Sequence, residues 1–291
     1  MRHRLHDVLV LVPLTDEGKI VLKQAMCFRN VLGCRVFVLN VISPVSFFKR
    51  QFNPLKVKGL IDEALLKLTE FVQDFFEGKI PEEVILKVSM GNLVSTLIKQ
   101  ARSDDFLFLI LKRSMHRKGV SNLLEQNEID KIIGHSYCPV LSINEDSTQR
   151  DLKTILIPVD IAEGATKKLL WASMFAKKAH AKILIISALN INIDEQKSLA
   201  LKNAEKMKFM LSERGIECDL EILKVYGQVK HEMVLSYIAT QKPDLIIIRK
   251  HHVASSLKTT IGDFAKEIIH GSNVPVFTVS QTQIDIADIL S

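Results

Sequence analysis

The sequence predicts an α/β protein built as two tandem, open, doubly wound domains, each with a five-stranded parallel sheet. Three observations carry this. Asp7-Val8-Leu9-Val10-Leu11-Val12-Pro13 returns as Leu152-Lys153-Thr154-Ile155-Leu156-Ile157-Pro158. Tyr137-Cys138-Pro139-Val140-Leu141 returns as Asn273-Val274-Pro275-Val276-Phe277, and Gly91-Asn92 and Gly227-Gln228 stand equally far ahead of Pro139 and Pro275. Between these landmarks, continuous apolar runs alternate with amphipathic ones, the signature of parallel strands covered by helices on both faces.

In the first half, Val8 to Val12 reads as a buried strand, and Glu17 to Leu32 follows as a helix whose Val21, Leu22, Ala25 and Phe28 share one face. Val36 to Ile42 is the second strand. A segment containing Pro44 and Pro54 leads to a helix from Val57 to Phe76, which Gly78 and Pro81 end. The remaining order is strand Val84 to Val88, helix Leu93 to Ala101, strand Phe106 to Leu111, helix Glu128 to Ile133 and strand Val140 to Ile143. The polar stretch Asn144 to Arg150 has the composition of a linker, which divides the chain into domains of residues 1–145 and 151–282. The second half then gives strands at Thr154 to Val159, Lys182 to Ala188, Cys218 to Val225, Leu245 to Ile248 and Val276 to Val279. Its helices read as Gly164 to Ala179, Asp194 to Arg214, Val229 to Thr240 and Gly262 to Ile269.

Composition bounds the class. The chain has 291 residues, 47% of them hydrophobic and 25% charged, with a net charge of +6, which suits two globular domains and exerts only weak attraction on polyanions. Aromatic residues are few and the basic loops are separate in sequence, so nucleic-acid binding is not expected. No apolar run reaches the roughly 20 residues a membrane span requires, and the amino terminus has no secretory pattern, so the expected location is cytoplasmic. Cys27, Cys34, Cys138 and Cys218 are scattered, with no spacing suited to zinc or redox chemistry, and read as reduced structural thiols. His251-His252 is no metal motif, since neighbours at a strand end point opposite ways. Trp171, with Leu170, Met174 and Phe175 beside it, reads as core. No nucleophile elbow, Walker loop or metal-ligand helix motif is present, so no catalytic residue is assigned.

These residues resemble the universal stress protein family, whose domains have a Rossmann-like parallel sheet of order 3-2-1-4-5, similar to adenine nucleotide alpha hydrolases, and often occur in tandem. The resemblance rests on Ile155-Leu156-Ile157-Pro158-Val159-Asp160, on Pro243-Asp244-Leu245-Ile246-Ile247-Ile248, on Ile261 to Ile269 followed by Val274-Pro275-Val276, and on Ile132 to Leu141 in the first half. It implies that ATP-binding members carry glycines in the loop after strand four, where backbone amides and a helix start meet phosphate. Here those positions fall on Arg249, His252 and Gly262, with Asp263 in place of a hydroxyl. In the first half they fall on Arg113, His116 and Gln126, and Thr15 replaces the strand-one Asp160.

The candidate ligand residues are therefore Asp160, Gly227, Gln228, Arg249, His252, Ser255, Lys258, Gly262 and Asp263, with first-half equivalents Thr15, Gly91, Asn92, Arg113 and His116. Plainer readings stand beside each. Asp160 suits a turn, Gly91 and Gly227 suit turns that open helices, and the basic loops with Lys112, Lys250 and their serines suit a solvated surface. The expected function is a non-enzymatic stress-response or interaction protein with no cofactor. The alternatives are an ATP-binding, weakly hydrolysing protein that uses the second-domain crevice, and a small-metabolite or lipid carrier. The domains are expected to pair with each other through their last strands, Val140 to Ile143 and Val276 to Val279, whose apolar edges would otherwise recruit foreign strands. Whole chains could also form a homodimer.

Overall fold

The computed structural model describes residues 7–43, 54–102, 106–113, 122–144, 151–159, 166–190, 199–225, 229–250 and 260–279. The first half runs β1 (Asp7–Leu11), α1 (Asp16–Leu32), β2 (Arg35–Ile42), α2 (Pro54–Phe75), β3 (Val84–Met90), α3 (Leu93–Ala101), β4 (Phe106–Lys112), α4 (Gln126–His135) and β5 (Val140–Ile143). The second runs β6 (Thr154–Val159), α5 (Thr166–Ala179), β7 (Lys182–Asn190), α6 (Leu199–Ser212), β8 (Cys218–Val225), α7 (Lys230–Gln241), β9 (Leu245–Arg249), α8 (Asp263–Gly271) and β10 (Val276–Val279).

All ten strands join in one sheet of order β3-β2-β1-β4-β5-β10-β9-β6-β7-β8. This is the 3-2-1-4-5 arrangement followed by its mirror order. Pairing is parallel within each half and antiparallel only between β5 and β10. There Val276 faces Ser142, Phe277 faces Leu141 and Thr278 faces Val140. Leu141 and Phe277 hold the same position in the two repeats, so a pseudo-twofold axis passes through their pair and the contact is isologous. Two apolar edges thereby cover each other within one chain, as the sequence predicts.

Alternation along the strands sorts the core into two layers. Val8, Val10 and Val12 face α1 and α2, while Leu9 and Leu11 face α3 and α4. Both buried clusters cross the seam. The first joins α1 and α2 to α5 and α6, and the second joins α3 and α4 to α7 and α8. On the first face Phe28, Phe108, Trp171, Phe175 and Phe277 form a continuous aromatic group, with Phe108 and Phe277 edge-to-face at 5.4 Å between ring centres. The halves thus repeat one topology while sharing their hydrophobic interior.

On the other face, charge is complementary across the axis. Asp130 of α4 accepts a hydrogen bond from His270 at 2.7 Å and forms an ion pair with Lys266 at 3.3 Å, both on α8. Asp130 and Lys266 are equivalent positions of the repeat, so opposite charges meet where two identical copies would oppose like ones. Among the described residues, no helix is long and apolar enough to cross a membrane.

Candidate functional site

In an open parallel sheet the ligand crevice lies beyond the carboxyl ends of the strands where the order reverses, between β1 and β4 and again between β6 and β9. In the first half the chain leaves β1 through Val12-Pro13-Leu14-Thr15 and enters α1, whose first turn carries Asp16 and Glu17. Gly18 is required here, because a Cβ at that position would lie 1.9 Å from the Pro13 carbonyl oxygen. The close approach brings Glu17 over the end of β4, where its Oε2 accepts from Lys112 Nζ at 3.1 Å. The Lys112 side chain is only 2% exposed.

Side chains also satisfy backbone groups at the neighbouring strand ends. Asn40 Nδ2 donates to the Val12 carbonyl at 3.0 Å, and Asn122 Oδ1 accepts from the Val41 amide at 2.8 Å. Leu123 and Leu124 are buried beside them, with Leu124 bridged to Arg113. The Arg113 amide donates to the Ile143 carbonyl at 2.9 Å, so its backbone serves the sheet. Thr15 stands at the start of α1 in extended conformation, and its hydroxyl is buried without a hydrogen-bond partner. Asn92 caps α3 by accepting from the Ser95 amide at 3.1 Å, and the Gly91 amide donates to the Ile42 carbonyl. For Gly91-Asn92 the geometry is that of a helix-opening turn.

In the second half, Lys168 on α5 is completely buried, and its Nζ donates to the Pro158 carbonyl at 2.6 Å. Sequence reading missed this group. The signal was a lysine at the first position of the stripe Lys168, Trp171, Ala172, Phe175, the spacing of a core-facing helix surface. Arg249 ends β9 half-buried and in register with Val279. Lys250, which the sequence groups with the basic loop, turns to the seam instead, where its Nζ donates to the Gly134 carbonyl of α4 at 3.0 Å. Burial lowers its pKa below that of an ordinary lysine.

Gly262 caps α8 with φ −68° and ψ 147°, a conformation open to any residue, and its amide donates to the Lys250 carbonyl at 2.8 Å. Asp263 follows in the first helical turn, where a carboxylate complements the helix dipole. Between Pro158, Val159, Ile186, Ala188, Lys230, Val234 and Phe264 there is a void of about 10 Å3, room for one water. Asp160, Gly227, Gln228, His252, Ser255, Lys258 and His116 lie outside the described residues. Among the described residues, no three His, Cys, Asp or Glu side chains gather in a way that could hold a metal ion.

Residues 151–280 match the model of the universal stress protein family. The second half of the chain belongs to that family. The whole chain also superposes on a universal stress protein from Archaeoglobus fulgidus, with a TM-score of 0.66 and 17% identity over 97% of this chain and 100% of that one. A functionally unknown protein from Pseudomonas aeruginosa PAO1 gives a TM-score of 0.59 at 15% identity, covering 98% and 95% of the two chains. At these identities the likeness is one of fold, and it extends the tandem universal stress protein architecture to the first half. No curated protein sequence matches the chain.

Proposed function

We propose that this tandem universal stress protein acts without catalysis, as a stress-response or interaction protein whose two halves have lost the glycine-rich ATP loop. The observation that carries this reading is the Lys112–Glu17 pair, which lies between the carboxyl ends of β1 and β4. A phosphate there would have to displace a carboxylate from a buried ammonium, and breaking such a pair is costly. In the second half, the carboxylate of Asp263 at the start of α8 supports the same reading.

Isothermal titration with Mg-ATP tests it. The expected result is no saturable binding at millimolar nucleotide, in the wild type and in Asp160→Ala alike, with no release of inorganic phosphate. Micromolar binding that Asp160→Ala abolishes would replace this reading with that of an ATP-binding protein using the second crevice.

A further inference from the structure

Among the described residues, the face shared by the two repeats carries a cleft between α1 and α5. α1 ends at Gly33 and α5 at His180, both left-handed, with φ 67° and 53°. Aligning these helix ends sets Phe28 against Phe175, Cys27 against Met174 and Gln24 against Trp171. The alignment is borne out by contact across the axis, since the Phe28 and Phe175 rings meet edge-to-face at 5.6 Å. In the second half Trp171 is 2% exposed and packs 4.9 Å from Phe277, and Met174 is wholly buried. The first half has a short amide and a thiol in their place. Beside them opens a cleft of about 540 Å3 between α1 and α5, bounded below by the residues that precede β6 and β9.

Its volume falls in the range of small-molecule sites, roughly 300–1,000 Å3. Gln24 lines it, is only 7% exposed, and its side-chain amide makes no hydrogen bond to another described residue. A primary amide at a cleft wall without a protein partner takes one from water or a ligand. Phe28, Val31 and Leu152 supply apolar wall. Lys153, Lys178 and His180 enter from the second half and form no ion pair among the described residues. Of the two carboxylates on the wall, Asp244 is turned to the backbone, where its Oδ2 accepts from the Lys153 and Thr154 amides at 2.9 and 2.8 Å. Asp151 is exposed at the rim. His180 also takes a left-handed backbone, a conformation a non-glycine residue adopts at some cost, where the first repeat has the unstrained Gly33.

We infer that this inter-repeat cleft binds a small organic acid, its apolar body against Phe28, Val31 and Leu152, its anionic group on Lys153 and Lys178, and a polar atom on the Gln24 amide. The cleft lies beyond the amino ends of β6 and β9, opposite the second crevice, so the inference stands whatever the ATP titration returns.

The test uses 1-anilinonaphthalene-8-sulfonate, an aromatic anion of suitable size, and its neutral analogue N-phenyl-1-naphthylamine, with the full chain in isothermal titration. One sulfonate probe per chain should bind, the neutral analogue at least tenfold more weakly. Gln24→Trp fills the cleft with the side chain the other repeat carries and should weaken the anion at least tenfold. Lys178→Glu, on an exposed helical position that leaves the core untouched, should do the same, and it decides the matter if Gln24→Trp does not fold. Equal binding of the two probes, several probes per chain, or unchanged affinity in folded Lys178→Glu would overturn the inference.

Discussion

At the first crevice single residues form an ion pair, Lys112 with Glu17, whose energetics can be measured. Glu17→Gln leaves the Lys112 ammonium, 2% exposed, without its counter-ion, while Glu17 itself is 30% exposed. The expected loss is about 2 kcal/mol in urea denaturation, below the full value for a buried pair because one partner is partly hydrated. Glu17→Gln with Lys112→Met removes both charges and should restore most of that loss. The thiols give a second prediction. Burial pushes Cys34 and Cys138 up to about 11 from an ordinary value of 9.0. A thiol whose folded pKa is raised holds its proton longer in the native state, so its contribution is fully present below pH 9 and is lost as pH rises towards 11. The urea midpoint should therefore decline across that window, less steeply in Cys34→Val, and neither buried thiol should react with a disulfide reagent in native protein at pH 8. At this scale the sequence was least legible. Arg113, Arg249 and Lys250 could be placed at strand ends from periodicity, but periodicity is silent on where a long flexible side chain turns. Lys250 turned to Gly134 of the other repeat, a contact no local pattern encodes.

Elements were far more legible, because they depend on spacing. All five strands and four helices expected in each half are present, and α3, β5, β6, β8 and β10 begin and end at the predicted residues. Ends shifted where a cap outweighed the apolar pattern. α4 begins at Gln126 rather than Glu128 because Glu125 and Glu128 form a reciprocal capping box, satisfying amides that hydrophobic spacing cannot register. The meeting of β1 and α1 depends on Gly18, so Gly18→Ala forces a Cβ into the Pro13 carbonyl. It should cost about 3 kcal/mol through backbone displacement. Gly59, in the interior of α2 with nothing within 4 Å of where a Cβ would stand, is the control. Gly59→Ala should stabilise by about 1 kcal/mol, since only helix propensity changes. Thermal melting of the two variants against wild type separates these effects by sign.

For the whole molecule, the repeat encoded the pairing of halves and its axis, because both closing strands are short, apolar and unprotected at their edges. What the repeat could not encode is how far the interior is shared. Two buried layers run unbroken across β5 and β10, and Asp130 meets Lys266 at equivalent positions, so the fused chain favours its own partner half over a second copy. The departures from symmetry are where the chemistry lies. Lys112 and Glu17 pair beside one crevice, Lys168 takes the carbonyl at the end of β6, and Gln24 lines a cleft at the position where the other copy carries Trp171. A crystal structure grown in millimolar Mg-ATP decides whether the paired stress-protein folds have closed their nucleotide crevices from within. The expected structure has an antiparallel β5–β10 seam, an intact Lys112–Glu17 pair and no nucleotide beyond β1 and β4 or β6 and β9. A triphosphate seated in either crevice would contradict it.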